Sequence, residues 1–490
     1  MSFIVFLLLI ASALTPSHTH LYSTDQSFIS LLVSRKGLDF VKDLLISEAV
    51  SSLTPLHLPQ IQKTVKIPLV GNVHMVLSKI TIYQIDVSSS YIEPGDAGLS
   101  IIASGTTCNL SMSWSYDYRT WLVPVTISDH GDASVQVEGM EVGITLGLEN
   151  QGGTLKLFLK ECECYIKNIY IKLDGGASWL YQGLVDAFEG QIGSAVENAI
   201  TKNLEGEILK LDSFFQGLPK EIPVDNIASL NVTVVNNALL SNSSIGFEIN
   251  GLFIANKKSV VSSYGHKNSN VEVSCEDPSK MLGISLDEAV FNSASFLYFN
   301  AEIMQWIVDK VPDQNLLNTA GWRFIIPQLY KKYPDDDMNM NVSLSSPPVI
   351  KVSENKIDAT MYADLIIDVL ETGEVIPVAC ISLVIHAWGS VKIQRNNLVG
   401  NVKLDDFTMS LKWSKIGNLR MYLIQPVMWT IIETVFLPYA NSRLGKGFPL
   451  PIIHGFTLQN AEIRCSNSKI TVCSDVVYAE SYGLNQLLIS

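Results

Sequence analysis

Two periodicities divide the chain. Runs that are apolar at every second residue read as strands. They fill 65–69, 73–83, 98–102 and 134–146. In the last run Val135, Val137, Gly139, Glu141 and Gly143 share one side, and its glycines suit a curved sheet. Two other stretches repeat at helical spacing. Residues 38–53 put Leu38, Val41, Leu45 and Ala49 on one face, with Gly37 before them and Pro55 and Pro59 beyond. Residues 178–211 predict a longer helix with Ser178 as its cap. Leu180, Leu184, Phe188, Ile192, Val196, Ile200, Leu204 and Ile208 recur every fourth residue. Four residues advance about 400°, so this stripe drifts roughly 40° per step. A drifting stripe suits a helix wrapped by a curved partner, where it forms a core face or lines an apolar ligand pocket. Gly183, Gly190, Gly193 and Gly206 lower helix propensity and permit close approach or bending.

The plan then recurs. Residues 212–245 are a connection rich in proline and asparagine, which sets the expected units at 24–245 and 246–490. The second holds helical segments within 286–309, strands from 338 to 411 and a long helix over about 426–444. The halves share little literal sequence, so the repeat is one of architecture.

Residues 3–14 form an apolar run with the small residues Ala11 and Ala13 near its end and Ser17 beyond, which reads as a secretory signal peptide within 1–23. The run carries no Lys or Arg before it and is short for a membrane span. Residues 422–440 are also apolar, but Gln425, Pro426, Glu433 and Pro438 interrupt them, which predicts a buried helix. Secretion agrees with four glycosylation sequons, at Asn109, Asn231, Asn242 and Asn341. Mean hydropathy is +0.23, high for a secreted soluble chain, which suggests apolar surface with a use beyond the core. The net charge of -14 argues against nucleic acid as a partner.

Seven cysteines leave at least one unpaired or paired between chains. Cys465 and Cys473 flank a polar turn and can bridge a hairpin. Cys162 and Cys164 have no second pair at zinc spacing, so no metal is expected. No nucleophile elbow, zinc-protease helix, phosphate loop or dinucleotide fingerprint occurs, and no carboxylate spacing demands a catalytic pair. His130 and Asp132 sit among turn-forming residues, and Asp335, Asp336 and Asp337 read as a solvated turn. A binding protein without cofactor is therefore expected rather than an enzyme. The most suggestive stretch is Trp114, Tyr116, Tyr118, Arg119 and Trp121, with Asp117 in a hairpin turn. Amphipathic rings on one side suit a membrane interface, or cross-strand packing within a sheet.

At this point the chain resembles the bactericidal/permeability-increasing and lipopolysaccharide-binding protein family, in its plant branch. The resemblance rests on Arg35, Lys36, Gly37 and Phe40, on Lys66 to Pro68, on 166–173 and on the helix after Trp179. It is sharper in 327–348, Asn397 to Gly400, Lys403 to Asp405, 414–417, Gly447 to Pro451 and Leu458 to Asn460. It implies an α+β fold: an elongated boomerang of two barrels, each a twisted antiparallel sheet wrapped on a long helix, joined by a central sheet. Each barrel would offer an apolar pocket for acyl chains. Leu180, Leu184 and Phe188, the 114–121 hairpin, Lys63 and Lys66 would then meet the lipid.

Two departures stand out. The family's strand-to-helix disulfide finds Cys162 or Cys164 on the strand but no cysteine at the helix end, leaving Cys108 or Cys164 as the local partner for Cys162. The basic tip of the mammalian members is also missing: 24–245 holds 14 Lys and Arg against 24 Asp and Glu, a net of -10. The expected function is secreted recognition of lipopolysaccharide or related amphiphiles in innate defence, with contact at a bacterial or membrane surface. The alternatives are a phospholipid carrier, or an extracellular protein-interaction module without lipid.

Overall fold

The computed structural model describes residues 26–67, 70–119, 125–174, 178–256, 273, 275, 279–311 and 313–478; the side chains of 178–184 and 186 are outside that set. The expected signal peptide and Trp121 lie outside the described residues.

The N-terminal half is built on an eight-stranded antiparallel sheet. Its main path runs Leu56–His57, Gly71–Asp86, Gly98–Arg119, Thr126–Gln151 and Thr154–Tyr165. Alternation decides which face turns inward: Val73, Met75 and Leu77 are buried on one strand, and Leu110, Met112 and Trp114 on the next. Two helices cover this face. Helix α1 (Arg35–Leu53) starts at Ser34, whose side chain accepts from the Gly37 N–H, so Gly37 lies inside the first turn rather than before it. Helix α2 (Ser178–Gln216) has 39 residues, roughly 58 Å at 1.5 Å per residue. Phe188, Ile192, Val196 and Ile200 are buried along it, which is the stripe read from the sequence. A Cβ on Gly193 would meet Ile169 Cδ1 at 3.1 Å, so the glycine lets α2 come close to the strand Asn168–Asp174.

A six-stranded sheet joins the halves. It takes Ile29–Val33 from near the start of the chain, Leu239–Leu240 and Ile245–Ile249 from the connection, and Leu282–Asp287, Phe456–Ser466 and Lys469–Tyr478 from the second half. From it leads helix α3 (Glu288–Asn300), capped by Asp287, whose Oδ1 accepts from the Ala289 N–H at 2.9 Å.

The C-terminal half repeats the plan with a seven-stranded antiparallel sheet. Its longest strands are Lys356–Glu371, Glu374–Gln394 and Asn397–Ser414. A short helix, α4 (Pro327–Lys332), precedes them. The last helix, α5 (Met421–Leu444), is by length and composition able to cross a membrane. Its Ile424, Met428, Ile431 and Ile432 are nonetheless buried against the sheet, as the interrupted pattern predicted. Pro426 lies inside it and a π-turn follows at Ile432–Phe436. Neither large sheet closes on itself by hydrogen bonds among the described residues; helices complete the enclosure.

The disulfide joins Cys275 to Cys473, Cα atoms 5.9 Å apart. This corrects the expected Cys465–Cys473 bridge. Those two lie on one hairpin but face different partners, Cys465 opposite Ile470 and Cys473 opposite Glu462. Three rungs separate them, roughly 10 Å at 3.3 Å per residue, beyond the reach of a disulfide. Cys108, Cys162 and Cys164 are free thiols. Cys162 and Cys164 do face α2: Cys162 bonds Thr201, and Cys164 lies near Glu197. Burial pushes the Cys108 thiol up to about 12 and, with Glu197 adding, the Cys164 thiol up to about 12, so both are neutral and unreactive near pH 7.

Candidate apolar binding cavity

The chemistry-bearing feature of the N-terminal half is a cavity of about 150 Å³ between α1, α2 and the sheet. Helix α1 contributes Leu45, Ile46, Ala49, Val50 and Leu53; α2 contributes Ile200, Leu204, Ile208 and Leu211. The sheet supplies Ile85, Val87, Ile101, Ala103 and Met140, then Val142, Ile144 and Leu146. Only Glu48, Glu207 and Thr106 add polar side chains. The two carboxylates sit on the two helices, at the seam between them. Lys210 is 2.8 Å from Glu207. Ser52 donates to Asn203 Oδ1 at 3.0 Å and pins α1 to α2 beside the cavity. Burial, with Glu48 adding, holds the Tyr478 phenol above its ordinary value. Such a space offers an alkyl chain removal from water. Among the described residues no group of three metal ligands gathers anywhere.

The residues singled out from the sequence lie elsewhere. Trp114 and Tyr116 are 1% and 7% exposed. Trp114, Tyr116 and Tyr118 form an inward ladder, with ring centroids 5.8 Å and then 6.3 Å apart. Trp114 donates from Nε1 to the Asp132 carbonyl at 3.0 Å. A Cβ on Gly131 would fall 2.6 Å from that indole, so only glycine leaves it room. Stacking along one strand against the core, not membrane exposure, is what this ladder does. Asp117 is within the strand, which continues to Arg119, and His130 and Asp132 are on the facing strand rather than in a turn. Arg119 is exposed and donates to Thr126 Oγ1 at 3.3 Å. Lys63 is turned inward, donating to the Ala187 carbonyl on α2 at 2.7 Å, while Lys66 is exposed. Phe188 packs in the core on the far side of Ile200, and the Leu180 and Leu184 side chains are outside the described set.

The cavity therefore uses the stripe's second half, with Ile200, Leu204 and Ile208, and the face of α1. The signal was present in both stripes; what the sequence lacks is where two helices diverge. Of the sequons, Asn242 is exposed in the turn 241–244. Asn109, Asn231 and Asn341 are half-buried, Asn109 donating to Gln84 and Asn231 accepting from Thr233.

Against known proteins, residues 37–218 match the N-terminal domain model of the LBP/BPI/CETP family, and 223–478 match its C-terminal domain model. The chain belongs to this family. A BPI/LBP family protein of Arabidopsis thaliana is 59% identical over 477 residues, 97% of each chain. Human lipopolysaccharide-binding protein is 22% identical, covering 91% of this chain and 92% of its own. The bactericidal permeability-increasing protein of Sebastes schlegelii is also 22% identical, covering 92% and 95%. A crystal structure of lipopolysaccharide binding protein superposes with a TM-score of 0.67 at 19% identity, covering 93% of this chain and 100% of that one. The LBP/BPI/CETP fold, with its two sheet-and-helix halves and joining sheet, is thus the fold of this chain, and the plant member sits far nearer in sequence than the animal ones.

Proposed function

We propose that this protein is a secreted, non-enzymatic lipid binder that takes acyl chains of lipopolysaccharide or a related amphiphile into the cavity between α1 and α2, in defence against bacteria. The carrying observation is the cavity wall, apolar apart from Glu48, Glu207 and Thr106. Each methylene moved from water into such a wall contributes about 0.8 kcal/mol. The relatives named for lipopolysaccharide binding and bactericidal action support the choice of amphiphile. The signal-peptide pattern and the exposed Asn242 sequon support export and glycosylation. A second reading, a phospholipid carrier, is favoured by one feature: the cavity's charged groups are two acids, and Lys63 is held by α2.

The test is displacement of fluorescent lipopolysaccharide from the purified glycoprotein, by unlabelled lipopolysaccharide and by phosphatidylcholine vesicles. Competition by lipopolysaccharide alone is the expected result. Equal competition replaces recognition with carriage. A protein that takes up no label and carries no extractable lipid is an interaction module.

A further inference from the structure

One atom in the cavity wall has nowhere to bond. Thr106 lines the cavity and is 2% exposed, and its Oγ1 has no hydrogen-bond partner. The position is set by the backbone. Gly105 adopts φ +64° beside it, and the register with the strand Thr126–Gln151 breaks on both sides of Thr106. Leu53 and Ile200 line the same cavity as Thr106. A buried hydroxyl without a partner is unfavourable, and valine would have nearly the same shape without it. Packing alone therefore gives no reason for the oxygen. A rotation of about 120° about χ1 carries the hydroxyl to the place of the methyl or of the Cβ hydrogen, so it can change direction at the wall without moving the strand.

We propose that Thr106 reads an oxygen carried on the ligand's alkyl chain, its hydroxyl donating to an ester carbonyl or bonding a chain hydroxyl, so that the cavity prefers an oxygen-bearing acyl chain to a plain one. This rests on the lipid-binding reading above. It adds which part of the lipid the cavity recognises and by which residue. Ester oxygens and chain hydroxyls come from different lipids, and the probes separate them.

The experiment displaces a fluorescent alkyl probe from the full-length protein with n-tetradecane, methyl myristate and methyl 3-hydroxymyristate, each supplied from cyclodextrin. The wild type is compared with Thr106→Val and Thr106→Ser. The ratio of wild-type to Thr106→Val affinity cancels each probe's own partitioning. For one neutral buried hydrogen bond that ratio is expected to be roughly five-fold for an oxygenated probe and one for tetradecane. Thr106→Ser should restore most of it. A ratio confined to the ester points to ester-linked lipid, and one confined to the hydroxy-ester to hydroxyacyl chains. Equal ratios for all three probes overturn the role of Thr106 while leaving lipid binding intact. Failure of every probe to displace the label overturns the lipid reading itself.

Discussion

Filling the cavity should abolish chain binding without harming the fold. Ala49 on α1 and Ala103 on the sheet face the cavity from opposite walls. Ala49→Phe or Ala103→Phe would place a ring where the alkyl chain lies. The magnitude follows from the space at stake. A cavity of about 150 Å³ holds about five groups the size of a water or methylene, at roughly 30 Å³ each. An engineered cavity of about that volume accepts benzene, a ligand of similar size. Five methylenes at about 0.8 kcal/mol give about 4 kcal/mol, close to a thousand-fold in affinity. The measurement is displacement of a fluorescent acyl lipid, with thermal melting as the fold control. The melting temperature should hold or rise, because a ring in an apolar void adds contacts. Two well-folded variants that bind lipid as the wild type does would refute the cavity as the binding site.

Two further outcomes bear on the framework. Cys473→Ser should lose most of the stabilisation from a closure spanning 198 residues, at most about 5 kcal/mol on the chain-entropy model; Cys465→Ser should melt as the wild type and keep its sensitivity to reductant, and the reverse pattern would restore the hairpin bridge. Asp368 is 6% exposed, and burial pushes its carboxyl above the ordinary 3.8. A raised carboxyl favours the protonated folded state, so its ionisation opposes folding above the folded value and opposes nothing below 3.8. Asp368→Asn should therefore raise the melting temperature at pH 7, and the gain should close as pH falls toward 3.8; a gain that persists in acid removes burial of charge as its cause.

Much of the frame was legible because period and burial are coupled. The stripe of α2 runs from Phe188 through Val196 to Ile208 as spaced, while the run 422–440, read as a buried helix, buries Ile424, Met428, Ile431 and Ile432 and leaves Tyr422 and Trp429 exposed. What period cannot state is which side of a strand meets water when both sides carry rings or hydroxyls. Trp114, Tyr116 and Tyr118 do share a side, but that side faces the core. Lys63 looked like a lipid contact because a lysine's partner is invisible when it is a backbone carbonyl 124 positions away. Cys473 chose Cys275 over its near neighbour because hairpin register, not sequence distance, sets which sulfurs can meet. Thr106 gave no signal at all. Threonine is ordinary in a strand, and only the missing partner sets it apart.

The charge distribution decides which half of an amphiphile the protein can grip. With a net of -10 over 24–245 and Lys63 and Lys210 already engaged, anionic lipids gain little from long-range attraction. Affinity must then come from the chain. A head group leaving the cavity along the α1–α2 seam would pass Glu48 and Glu207, where a phosphate meets repulsion and an ammonium does not. If lipopolysaccharide is the ligand, its phosphates have to stand clear of that seam and meet exposed cations elsewhere, such as Lys66 and Arg119. The seam thus separates the two functional readings on physical grounds: it is compatible with any lipid's tail and selective only at the head.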